Sequence, residues 1–235
     1  CVIYLRHFLR GHNTFHFVKF KMDWRIYKRL LPIGVADGVT ELCNGVMIFL
    51  FNRIILRCLG DDGLVCYTII AYVNTLIINT MLGISQGSQP LVSYHYGKND
   101  AAGYRKLLRY GFTAVAAMTA VIFAGVMLFA PQVAGIFLGA ENPGLVVDAA
   151  EALRRYGLCY LLLGSNILMG GFLTAVERPV GAICISVGRG LAFQATALLA
   201  LAFTVGGSAI WYAPLLSEAV CAGMAVWFLL RFLKR

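Results

Sequence analysis

Residues 106–130, KLLRYGFTAVAAMTAVIFAGVMLFA, decide the fold class. No charge interrupts the run from Tyr110 to Ala130. About 20 apolar residues of helix, rising about 1.5 Å each, are what a bilayer core of about 30 Å requires. Working outward, five more runs of this kind occur, at 30–58, 63–90, 149–175, 179–205 and 209–233. Short breakers separate the six: Gly60-Asp61-Asp62-Gly63, Gly97-Lys98-Asn99-Asp100, Pro131, Asn142-Pro143-Gly144, Pro179 and Gly206-Gly207-Ser208. None of the runs alternates polar with apolar residues, as barrel strands would. The expected fold class is all-α integral membrane, with residues 30–235 forming a six-transmembrane-helix lobe.

Composition leads to the same class. Of the 235 residues, 60% are hydrophobic and 13% charged, against about 25% charged in an ordinary soluble domain. Too few polar residues exist to cover such a core in water, so lipid must solvate the surplus. The net charge of +9 is spread over membrane boundaries. Arg6, Arg10, Lys19, Lys21, Arg25, Lys28 and Arg29 precede the first complete run; Lys98, Arg105, Lys106 and Arg109 lie between runs; Arg231, Lys234 and Arg235 close the chain. With Arg178, the side holding both termini has fifteen of the twenty Lys and Arg, the opposite side has four (Arg53, Arg57, Arg154, Arg155), and Arg189 lies within a run. The positive-inside bias therefore predicts a multi-pass protein of the cell (inner) membrane with both termini cytoplasmic. Nucleic acid is not an expected partner; the lipid bilayer is.

The seven cysteines are scattered, with no CxxC pair and no His cluster, so neither a disulfide framework nor a metal site is expected. Residues 1–29 read as the tail of a preceding helix followed by a basic cytoplasmic loop. Residues 6–29 are also rich in aromatics, which suits either a surface-lying amphipathic segment or the polar end of that helix with its loop. A second surface helix is expected at 99–110, capped by Asn99 or Asp100. With Cys1 at its start, the chain is expected to be a fragment.

Ionisable groups inside apolar runs are costly and mark function. Asp37 and Glu41 stand at i,i+4 spacing on one helical face, and Glu41 lies about 16 Å into its run, near the midplane. Two carboxylates this close resist ionising together, so one holds a proton that a cation or cationic substrate can replace. Pairing with a neighbour purely for packing is the other reading. Asn44 follows one turn later. Arg189 and Glu218 are the remaining charges within runs, expected to pair with each other or with Glu41, as a structural ion pair or a substrate contact. Asn74, Asn79, Gln86, Gln89, Asn166 and Gln194 are read mainly as interhelical hydrogen-bonding groups. Pro32, Gly83, Gly87 and Pro90 are expected to permit bends or close helix approach.

The segment GISQGSQPLVSYHYGKNDAAGYRKLLRYG, Gly83 to Gly111, resembles the signature of the multidrug and toxic compound extrusion (MATE) family. Gly83, Gly87, Gln89, Pro90, Tyr96, Gly97 and Asn99 match it. LPIG with Glu41 downstream, Asn52 with Gly60-Asp61, TAVERP at 174–179 followed by Ser186-x-x-Arg189-Gly190, and WYAPLLSE at 211–218 follow in the family's order. The set covers nearly all of 30–235 and is similar to the C-terminal lobe of the MepA-like and DinF-like branches.

The resemblance implies half of a twelve-helix transporter whose partner is the missing N-terminal lobe. It implies secondary active efflux of small cationic, amphipathic organic compounds, coupled to H+ or Na+, with no cofactor. Some branches use acids in the seventh and tenth helices. Glu41 stands near the first position, whereas run 149–175 has no acid deep inside it: Glu151 stands at its start and Glu177 just past its end. The alternatives are a lipid-linked oligosaccharide flippase of the same superfamily or a non-transporting truncated membrane protein. No nucleophile–base spacing, metal cluster or phosphate-binding loop occurs, so an enzyme is not expected.

Overall fold

The computed structural model of the chain describes residues 24–139 and 142–233, without the side chains of 25, 26, 28–30, 32–37 and 39–41. Cys1–Val35 and Ala36–Arg235 are two units. Of the first, Trp24–Val35 is helical, with the Trp24 and Tyr27 rings 6.1 Å apart; the rest of the basic arm lies outside the described residues.

Helix α1 (Trp24–Gly97) is a hairpin rather than a rod. Gly60 interrupts it at φ 71°, ψ −160°, backbone that a side chain would strain. Phe51 and Tyr67 stack across the turn with centroids 5.2 Å apart, whereas the same residues on a straight helix would be about 24 Å apart. In the first arm Cys43, Met47, Phe51 and Ile55 repeat every fourth residue and are buried, while Leu42, Val46, Phe49 and Leu56 are exposed. This is an apolar stripe facing protein and an apolar back facing lipid. The four-residue loop expected at 60–63 is a reversal at Gly60 alone, and Asp61 and Asp62 are already helical.

α1 ends at Gly97 and α2 runs Ala101–Leu138. Asn99 adopts φ 57°, and Asp100 caps α2 by accepting from the Gly103 amide at 2.9 Å while its other oxygen meets His95 Nδ1 at 2.7 Å. The Gly103 amide, followed by His95, holds the Asp100 carboxyl below its ordinary range. A depressed folded-state pKa means that the cap's stabilisation is present above the ordinary carboxylate range and is lost as pH falls below it. The separate surface helix expected at 99–110 is instead the opening of α2. No breaker follows Asp100, and Leu108 and Gly111 are already buried in the bundle.

Pro131, expected to end this run, lies inside α2. Proline lacks the N–H that would bond to Met127. Arg154 fills the gap, donating through Nε to the Met127 carbonyl at 3.1 Å, which satisfies a backbone group where water is scarce. Arg154→Ala should therefore destabilise by about 1–3 kcal/mol. The cost should shrink in a Pro131→Ala background, which restores the backbone donor. Melting temperatures of the four proteins test this, and equal costs in both backgrounds would show that the Met127 carbonyl is not the reason.

The single run expected at 149–175 is a bent pair, α3 (Pro143–Gly157) and α4 (Tyr160–Ala175), meeting at 43°. α3 is amphipathic, burying Ala149, Leu153 and Tyr156, whereas α4 is buried on most of its surface. Next come α5 (Pro179–Val187), a π-helical turn at Gly188–Ala192, α6 (Phe193–Thr204), a 3-10 turn at Gly207–Tyr212, and α7 (Ala213–Leu233). Leu42–Gly97, Ala101–Leu138, Pro179–Thr204 and Gly207–Leu233 are each long and apolar enough to cross a membrane, and so is the bent pair when its two helices are taken together. Since Leu42–Gly97 doubles back at Gly60, its two arms are separate apolar helices.

α4 is the post around which the bundle is built. It packs on α2, α5 and α7. The second arm of α1 is pinned to it by Ser85 Oγ donating to the Ile167 carbonyl at 3.3 Å and Ser93 Oγ donating to that of Ala175 at 3.0 Å.

Candidate functional site

Three spans converge on one buried polar cluster. Arg189, in the π-helical turn, donates through Nε to Glu218 Oε1 on α7 at 3.2 Å. Asn166 on α4 donates through Nδ2 to Glu218 Oε2 at 2.6 Å and to the Glu218 carbonyl at 2.9 Å. The side chains of Arg189 and Glu218 are 20% and 7% exposed, so the carboxylate is sealed in while the guanidinium retains an outlet. A lone charge here would be costly; the pair offsets most of that cost and its hydrogen bonds anchor it.

The local backbone explains how the cluster is held. A π turn shifts the carbonyl register, and the Arg189 carbonyl accepts from Ser217 Oγ at 3.5 Å. One turn earlier, Cys221 Sγ approaches the Ile185 carbonyl at 3.5 Å. These contacts stitch the α5–α6 span to α7 around the ion pair. One acceptor remains: Asn166 Oδ1 is buried without a partner among the described residues.

Of the residues singled out from sequence, Arg189 and Glu218 are thus brought together as an ion pair. Asn44 adjoins the cluster: a Cβ placed on Gly190 would lie 3.5 Å from Asn44 Oδ1. Pro32, Asp37 and Glu41 lie on the α1 backbone, but the roles read for their side chains fall outside the described residues. Asn166 was read only as an interhelical hydrogen-bonding group, and Ser217 not at all. The two glycines flanking Arg189 are the sequence signal nearest to the π turn.

The motif residues of the second α1 arm form a different surface. Gly83, Gly87, Pro90 and Gly97 share one exposed face with Asn79 and Gln86. The glycines on it touch nothing, since a Cβ at 83, 87 or 97 meets no atom within 4 Å; close helix approach is not their role within the described residues. Gln89 turns the other way, its Nε2 only 2.9 Å from a Cβ built on Gly171 of α4. Amides without a partner among the described residues, such as Asn79 and Gln86, are disfavoured against hydrocarbon, so this face suits water or further protein.

Known proteins share this fold. The MatE family model matches residues 38–193. A probable multidrug resistance protein NorM of Rhizobium meliloti (strain 1021) is 25% identical over 256 residues, spanning 99% of this chain and 51% of that protein. The multidrug export protein MepA of Staphylococcus haemolyticus (strain JCSC1435) is 23% identical over 227 residues, spanning 96% and 49%. A solved outward-facing conformation of a multidrug resistance MATE family transporter of the MOP superfamily has a similar fold, with TM-score 0.88 and 20% identity over 99% of this chain and 53% of that one. A MOP superfamily transporter from Pyrococcus furiosus, described as having a binding pocket of reverse polarity that suggests a different function, gives 0.87 and 20% over 99% and 54%. The chain spans about half the length of the curated relatives it matches.

Proposed function

We propose, from the premise that the chain belongs to the MatE family, that it forms the C-terminal lobe of a proton- or sodium-coupled antiporter exporting cationic, amphipathic compounds. The family's members are transporters rather than enzymes. In this reading both termini are cytoplasmic, the exposed Asn79–Pro90 face of α1 looks into a central cavity, and a second lobe closes the other side.

The observation that carries the substrate class is the Arg189–Glu218 pair. Arg189 is the basic residue that stands near the middle of an apolar run rather than toward an end, and Glu218 neutralises it at 3.2 Å. It is therefore spent as a counter-ion, and Glu41 and Asp37, one and two turns before Asn44, are left to give their helix an acidic character. That favours cations and disfavours a lipid-linked oligosaccharide, whose anionic linkage calls for unneutralised cations. Glu41 is assigned the coupling role, trading its proton or cation for substrate as the lobes alternate.

In the full-length protein, Glu41→Gln should reduce gradient-driven export of a fluorescent cation such as ethidium to background while leaving expression and elution unchanged. Export at the wild-type rate would remove Glu41 from the coupling step. A wild-type protein that translocates a lipid-linked oligosaccharide and no cation would favour the flippase.

A further inference from the structure

At one end of the bundle the close of α4, the start of α5 and the close of α7 enclose a cleft of about 330 Å³. We propose that it binds the headgroup of an anionic glycerophospholipid, phosphatidylglycerol in particular. This rests on the chain spanning a membrane and not on what it exports.

Two guanidiniums line the cleft, Arg178 and Arg231. Each is exposed and positioned by an aromatic ring: Arg178 Cζ lies 6.0 Å from the Phe232 centroid and Arg231 Cζ 5.3 Å from that of Trp227. Neither has a carboxylate within 4.0 Å among the described residues. Arg178 occupies the N-cap position of α5, where a guanidinium, having only donors, cannot cap the helix. Planar forks held on rings suit a phosphodiester, to which they can donate in pairs.

The rest of the lining fits a lipid better than a soluble phosphate. Leu173 and Phe228 give the cleft an apolar wall, suited to the first carbons of acyl chains. The cleft lies where the spans Pro179–Thr204 and Gly207–Leu233 begin and end, at headgroup level. Tyr96, Tyr104, Phe172 and Phe232 cluster there with centroids 5.8–6.2 Å apart, an interfacial aromatic anchor. Arg105 reaches the same corner, donating to the Leu233 carbonyl at 2.9 Å. Basic pockets between spans at such a level select anionic headgroups. Glu177, also on the lining, leaves the three charged groups net positive and offers an acceptor to a headgroup hydroxyl.

The test is native mass spectrometry of the full-length protein with equimolar phosphatidylglycerol, phosphatidylethanolamine and phosphatidylcholine. Wild type should retain phosphatidylglycerol preferentially, and Arg178→Gln and Arg231→Gln should each reduce that preference about fivefold. The double variant should abolish it; the single variants carry the test if the double does not fold. Lys106→Gln, which removes a charge at the same end but outside the cleft, should leave it unchanged. Three results would overturn the proposal: an equal loss in Lys106→Gln, meaning diffuse surface charge; preference for phosphatidylethanolamine, meaning that Glu177 dominates; or displacement of the lipid by millimolar glycerol 3-phosphate, meaning a soluble-phosphate site.

Discussion

Replacing Glu218 with Ala should destabilise the lobe by about 3–5 kcal/mol, because it strands Arg189 in a nearly closed site. Against a total stability of about 5–15 kcal/mol, this removes much of the folded protein. Asn166 loses its Oε2 acceptor in the same step and keeps only the Glu218 backbone carbonyl, so the tie between α4 and α7 weakens as well. Glu218→Gln should cost less, since its amide oxygen can still accept from Asn166, while the charge on Arg189 stays uncompensated. Arg189→Leu combined with Glu218→Leu should recover much of the loss, as replacing both partners of a buried pair often does. The measurement is a four-way melting comparison of the full-length protein in one detergent. A coupling of about 0.5–3 kcal/mol is expected; strictly additive costs would mean that the pair does not act as a unit. The cation-export assay applied to the double variant then separates structure from transport. A folded but inactive protein would place the pair in the transport cycle.

Gly164→Val should be comparably damaging by a different mechanism. Gly164 lies midway along α4, where that helix meets both α1 and α2. A Cβ there would stand 2.7 Å from Val115 Cγ1 and 2.9 Å from Met81 Sδ. Met81 can yield because its chain is flexible, but Val115 is β-branched and stiff. Overpacking of this kind costs about 1–3 kcal/mol and sometimes more, and here the post of the bundle would be displaced from two neighbours at once. Gly164→Ala should be milder, because alanine regains about 1 kcal/mol of helix propensity. Val115→Ala should relieve it, so the two substitutions together should cost less than the sum of their separate costs. A Gly164→Val protein that melts like wild type would show that α4 does not approach its neighbours this closely.

The two sites were legible to different degrees. Arg189 and Glu218 stood out as charges within apolar runs, because hydrocarbon penalises charge so heavily that their presence is itself a signal. That they meet each other was not legible. It depends on the π turn, which sets where Arg189 points and frees its carbonyl for Ser217. Asn166 was one amide among several in the sequence, and only its position opposite Glu218 on α4 distinguishes it. Gly164 gave no sequence signal, since glycine occurs throughout membrane helices and only the near neighbours Val115 and Met81 make this one irreplaceable.

Fold class and the apolar runs came from the sequence alone. Apolar runs long enough for a bilayer, separated by Gly, Pro and Asp, are a one-dimensional property that needs no contacts to read. The grouping of charge at the run boundaries is equally one-dimensional. Tertiary structure alone decided where each run bends. Pro131, a strong breaker locally, stays within α2 because Arg154, distant in sequence, satisfies the carbonyl that the proline abandons. The run 106–130, which settled the fold class, therefore continues to Leu138. A local rule describes only what the chain does unaided, and in this bundle a neighbouring span supplied the missing hydrogen bond.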